Sequence, residues 1–207
     1  MRASFAATAP PVESLHLVTY PADVLRARAK PLEKVTDEVR AVARRMVEIM
    51  REHEGIGLAA PQVGLSWRLF IADVPRGRAE KDEKSSAKKV KNGKKDEGAE
   101  FDEFPTFTDG VQFYVNPKLT KLQGALEPYE EGCLSLPDIR GDVLRPPVAT
   151  ISALDLEGKP FTRTAAGLLA RCWQHEMDHL DGVLILDKMT QMSRLKNRAA
   201  VRELEKE

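Results

Sequence analysis

Residues 174–182 read QHEMDHLDG. His175 and His179 stand four positions apart with Glu176 between them, and they are two of only four histidines in the chain. On an α-helix that spacing puts both imidazoles on one face, one turn apart. Two readings follow. One is an ordinary helix with core histidines. The other is a two-histidine metal site with an acid/base beside it. On a wheel of about 100° per residue with His175 at zero, Leu168, Leu169, Cys172, Trp173, His179, Leu180 and Val183 share one sector of roughly 160°. Arg171, Gln174, Met177, Asp178 and Asp181 fall outside it, so Arg171 is expected at the helix rim. Glu176 falls inside, at about 100°. A glutamate on an apolar face costs several kcal/mol unless it is paired or faces a cation. A divalent metal with its water removes that penalty and gives Glu176 a proton to take. Three costly polar groups on one face therefore favour the metal reading.

A catalytic metal site uses three protein ligands and keeps one position for water. The longer pattern H-E-x-x-H-x-x-G-x-x-H fails here: Gly182 fits it, but Ile185 holds the last place. A downstream glutamate occurs only at Glu203 or beyond, in a charged tail ill suited to a buried site. Cys172 shares the helix face, but it lies about 10 Å along the axis from His179. Bonds of about 2.0–2.3 Å cannot span that distance, so Cys172 reads as a packed core thiol. Cys133 remains, in EEGCLSLPDIR (130–140), where a glycine-flanked turn enters a short extended segment. It is either the third ligand or a small core residue.

The wider chain bounds these readings. Its 207 residues suit one domain with a real core. Lys+Arg and Asp+Glu both number 32, so net charge speaks for neither a nucleic-acid nor a membrane partner. No apolar run approaches the ~18 residues of a membrane span. Two cysteines are too few for a disulfide framework and favour a reducing compartment. Residues 1–14 lack an apolar signal core and are read as a disordered tail rather than an organellar transit peptide.

Asp37 to Arg51 carries a helical apolar period, with Thr36 or Asp37 as cap. Glycine-rich GIGLAAPQVG (55–64) and a strand over 68–74 follow. Glu80 to Glu103 holds seven Lys and eight Asp or Glu, and is read as part of a solvated, mobile insertion over about 76–108. Residues 111–119 read as a strand ending at Asn116-Pro117, and 148–165 as a hairpin turning at 157–159. Ser193 to Glu207 reads as a charged terminal helix. The class is α+β: small antiparallel or mixed sheets around a central helix carrying the histidines, with an N-terminal and a C-terminal helix.

Three stretches, GIGLAAPQ (55–62), EGCLSLP (131–137) and QHEMDHLDG (174–182), resemble in order the three signature motifs of the peptide deformylases. The resemblance spans residues 15–207 apart from the charged insertion. It implies one metal, usually Fe²⁺ and also Zn²⁺, Ni²⁺ or Co²⁺, held by Cys133, His175 and His179. It implies removal of the formyl group from the N-terminal formyl-methionine of new polypeptides, by attack of a metal-bound water. It makes Glu176 the general base and acid, and Gln62 with the Leu134 N–H the holders of the oxyanion. Gly57 and Gly132 would lie where the peptide backbone passes, Ile56 and Leu168 near the methionine pocket, and Arg140 near the substrate-binding face. Arg145 and Asp178 are expected to support the ligands from behind. Arg171 departs from the aliphatic residue familiar at its position, and the charged insertion departs from the common pattern. The expected setting is cytoplasmic and monomeric, with nascent chains as substrate, ribosome contact implied only by the resemblance, and no membrane or nucleic-acid site.

Two rivals differ in class. A metallopeptidase of the H-E-x-x-H kind needs a downstream third ligand, which is not found. A binding module that has lost turnover fits poorly with intact Gln62, Cys133, Glu176 and both histidines.

Overall fold

The computed structural model describes residues 10–81 and 103–206. Most of the expected tail over 1–14 and the charged centre of the expected insertion lie outside the described residues. The described edges of that insertion are packed: Ala79 and Thr108 are buried, and the Thr108 hydroxyl accepts from the Val74 N–H at 2.8 Å.

Helix α1 (Asp37–Glu52) begins where the Thr36 hydroxyl accepts from the Val39 N–H at 3.2 Å, with Asp37 and Glu38 at the positive end of the helix dipole. Its face of Val39, Val42, Ala43, Met46, Ile49 and Met50 is buried. The strands follow as β1 (Gly57–Ala59), β2 (Leu69–Ala72), β3 (Gln112–Gln123), β4 (Glu127–Cys133), β5 (Leu136–Arg145), β6 (Val148–Leu154) and β7 (Pro160–Ala166). Then come α2 (Gly167–Leu180), α3 (Ile185–Lys188) and α4 (Gln191–Leu204). Strands β1-β2-β3-β6-β7 form one antiparallel sheet, and β4 and β5 form a separate hairpin. The class is α+β. Among the described residues no helix is long and apolar enough to cross a membrane.

Helix α2 lies at the centre. One side packs on the five-stranded sheet through Leu169, Trp173, Met177 and Leu180, in a cluster with Phe70, Tyr114 and Ile151. The other side meets the β4–β5 hairpin through the Arg171 guanidinium. Helix α1 closes a second cluster against Leu58, Leu69 and Ile71. A third joins Ile139 and Val143 of β5 to Leu184, Ile185 and Met189.

Two expectations need correction. Strand β3 does not end at Asn116-Pro117. It runs on to Gln123, with register shifts on either side of Leu119. Pro117 has no N–H for the ladder, and the irregularity absorbs that loss. Asn116 adopts φ 50°, and its side chain pairs with both the N–H and the carbonyl of Leu32 at 2.8 and 2.7 Å. Arg171 is not at a rim either. It is buried, as are Gln174 and Met177, because α2 is covered on two sides rather than one.

Helix α2 stops at Gly182, where φ is +73° and the Val183 N–H reaches the Asp178 carbonyl at 2.9 Å. A Cβ there would stand 2.4 Å from the Arg26 carbonyl oxygen. Gly158, in the β6–β7 turn, has φ +80° but open space around it. Gly182→Ala should therefore lose about 2–5 kcal/mol, a left-handed backbone penalty of about 1–2 plus an overpacking penalty of about 1–3. Gly158→Ala should lose only the first part. Urea unfolding midpoints check this, and equal losses would mean that the Arg26 turn gives way freely.

Candidate metal centre

Strand β4 alternates its faces, so Tyr129, Glu131 and Cys133 point the same way, toward α2. At its end the chain turns through Leu134 and Ser135 into β5, with Cys133 paired to Leu136. The turn sets Cys133 against the histidine face of α2. The Cys133 Sγ lies 3.2 Å from His179 Nε2. The ligand atoms of Cys133, His175 and His179 all lie within 4.8 Å of one another, and the two rings meet edge to face with centroids 5.0 Å apart. One ion with bonds of about 2.0–2.3 Å holds tetrahedral donors about 3.4–3.6 Å apart. A thiolate and two imidazoles at this spacing fit a divalent transition metal with one position left over.

His175 is oriented from behind. Its Nδ1 lies 3.1 Å from Glu131 Oε2, which leaves Nε2 for an ion. Burial works against charge on this ring, but the bonds to Cys133 and Glu131 outweigh it and raise its pKa well above the usual value. His179 is buried, and burial pushes its pKa well below the usual value. Glu131 is buried too, and burial opposes its ionisation. His175 and Arg145 overcome that and hold its pKa well below the ordinary carboxylate range. Arg145 grips both Glu131 oxygens at 2.7 and 2.9 Å, and reaches Asp178 with its remaining nitrogen at 2.7 Å.

Glu176 sits between the histidines, 4% exposed, and its Oε2 is buried without a hydrogen-bond partner among the described residues. Burial raises its pKa to about 7, against the pull of His175 and Arg145. A carboxyl poised near neutrality can take and return a proton. Gln62 lies in the 3₁₀ turn Ala60–Val63 that follows β1. Its Oε1 accepts from the Ala59 N–H at 2.8 Å, which aims the Nε2 at Ser135 Oγ (3.2 Å) and Cys133 Sγ (3.6 Å).

The remaining candidates divide. Ile56 and Leu168 are partly buried at the margin of the main core. Leu134 lies in the turn after Cys133, its side chain 2.8 Å from where a Cβ on Gly55 would be. Gly132 pairs with Arg140 across the hairpin, and the Arg140 side chain lies along it on the exposed side, outside the buried network. Gly57 has a role inside the fold: a Cβ there would stand 2.3 Å from Glu176 Oε1 and 2.8 Å from Cys172 Sγ. Cys172 packs beneath, donates to the Ile56 carbonyl at 3.6 Å, and has its pKa raised by burial. Two residues that no role had been assigned are Ser135, which receives the Gln62 amide, and Glu131. The period of β4 marks Glu131: it stands two before Cys133, on the same face.

The chain is similar to known proteins in both sequence and fold. The family model described as polypeptide deformylase matches residues 14–195. A peptide deformylase of Acinetobacter baumannii is 38% identical over 190 residues, 92% of this chain and 91% of that protein. A plant peptide deformylase structure superposes with a TM-score of 0.76 at 33% identity, covering 96% of this chain and 92% of that one. A Synechococcus elongatus peptide deformylase, solved with actinonin, gives 0.70 at 36% identity, covering 92% and 87%. With its whole architecture shared and its cysteine and histidines gathered at one corner, the chain belongs to the polypeptide deformylase family of metal-binding hydrolases.

Proposed function

We propose that the chain hydrolyses the N-formyl group from the formyl-methionine end of newly made polypeptides, releasing formate. One observation carries the reading: the sulfur of a distant strand end meets two imidazoles of one buried helix, beside a carboxylate with an oxygen that has no partner among the described residues. Cys133, His175 and His179 are the assigned ligands, and Fe²⁺ is the assigned ion. Zn²⁺, Ni²⁺ and Co²⁺ suit the same donors. Such an ion supplies Lewis acidity, lowering the pKa of water and polarising a carbonyl oxygen.

The chain's own groups do the rest. Glu176 accepts the proton of the attacking water and later delivers it to the leaving amine. Negative charge gathers on the formyl oxygen. The Gln62 Nε2–H, fixed by its bond to Ala59, and the Leu134 N–H are the donors assigned to it. The β1 edge at Ile56 and Gly57, with Gly132 across the cleft, would take the substrate backbone. Ile56 and Leu168 would border the methionine side chain, and Arg140 would lie farther along the peptide. The substrate is a nascent chain, so the cytoplasm of a bacterial-type cell is the assigned setting. Ribosome contact follows from family likeness alone.

Cys133→Ala should lose the stoichiometric metal that Cys172→Ala keeps. Elemental analysis after gel filtration reads this, and equal metal in both would remove Cys133 from the site. Glu176→Gln should keep the metal and lose about 10²–10⁴ in kcat for formate release from a formyl-Met peptide. Turnover within a few-fold of wild type would displace Glu176 as the base. Gly57→Ala should also keep the metal. By pushing Glu176 aside it should cost about 100-fold in kcat, and an unimpaired kcat would show that Glu176 needs no such placement.

A further inference from the structure

Arg171 is a buried arginine without a part in the chemistry above. It rises from α2 one turn before His175, and among the described residues its side-chain hydrogen bonds and its ring contact all fall on the hairpin that carries Cys133. Its Nη1 donates to Glu131 Oε1 at 2.9 Å and to the Val143 carbonyl at 3.1 Å. Its Nη2 donates to the Glu127 carbonyl at 3.1 Å, and its guanidinium stacks 4.9 Å from the Tyr129 ring centre. The guanidinium thus spans both strands of the hairpin from the helix that bears the histidines.

The division of Glu131 makes these contacts relevant to the ligands. Its Oε1 takes Arg145 Nε and Arg171 Nη1, and its Oε2 takes Arg145 Nη2 and His175 Nδ1. Four donors on two oxygens fix the carboxylate plane. That plane in turn fixes which His175 nitrogen carries the proton. Removing Arg171 leaves Glu131 neutralised by Arg145, but it frees one lone pair of Oε1 and unties the carbonyls of β4 and β5.

We infer that Arg171 is a positioning residue for metal binding: it locks Glu131 against His175 and sets the spacing between the helix with the imidazoles and the hairpin with the thiolate. It rests on the metal reading proposed above. A guanidinium is suited to this because its rigid planar fork reaches acceptors on both strands from two separate nitrogens, whereas an ammonium offers its donors from a single point.

The test uses full-length wild type, Arg171→Met and Arg171→Lys, each loaded with Zn²⁺. Two quantities are read: zinc affinity by competition with a chelator, and the Nδ1 proton of His175 in ¹⁵N-edited NMR. Wild type should bind one zinc and show a protected Nδ1 proton. Arg171→Met should bind zinc about 10–100-fold more weakly, the range expected when a group behind a ligand is lost. Its His175 Nδ1 proton should exchange with solvent. Arg171→Lys should fall between the two. Wild-type affinity with a protected proton in either folded variant overturns the inference. Should Arg171→Met fail to fold, Arg171→Lys decides alone, and wild-type affinity there has the same consequence. Failure of wild type itself to bind zinc sinks the metal reading instead, so the two claims fail separately.

Discussion

A carboxylate in a dry interior must be neutralised, and the way Glu131 meets that demand organises this molecule. Two arginines, one from β5 and one from α2, close on it, and an imidazole takes what is left. Buried ion pairs of this kind repay their desolvation only when their geometry is good and every lone pair is used. On that account such a cluster is weak evidence for net stability. Its value lies in specificity, because one arrangement of hairpin against helix satisfies every partner. The same arrangement leaves Cys133 Sγ beside His179 Nε2.

The rest of the fold supports that corner. The five-stranded sheet gives α2 a rigid apolar floor through Trp173, whose indole N–H donates to the Tyr114 hydroxyl at 2.8 Å. The turn after β1 brings Gln62 across to the β4–β5 turn, so three segments far apart in sequence share one site. Gly57 matters for a steric reason: its missing Cβ is the space that Glu176 occupies. Glu176 is buried there, and burial lifts its pKa to about 7.

Much of this was legible in the residues. The capped amphipathic α1, the β6–β7 hairpin with its turn at Gly158 and the histidine helix follow from local period and turn chemistry. The two histidines and the setting aside of Cys172 were legible from spacing, but Cys133 stayed open between ligand and core residue until the resemblance to the deformylase motifs pointed to it. What escaped was non-local. A helical wheel assumes one buried face, so it put Arg171 at a rim, although the hairpin covers that side as well. A proline inside a strand pattern suggested an end to β3, but a register shift carried the strand past it. Glu131 stood in plain view beside Gly132 and Cys133. Its role depends on Arg145 and Arg171, which only the folded chain brings near.

The proposed chemistry depends on a thiolate and two imidazoles sharing one ion. X-ray absorption at the metal edge of the zinc-loaded protein tests it most directly. The account predicts one sulfur at about 2.3 Å and two imidazole nitrogens at about 2.0–2.1 Å, with one light atom completing the shell. A first shell without sulfur, or with carboxylate oxygen in its place, would contradict it.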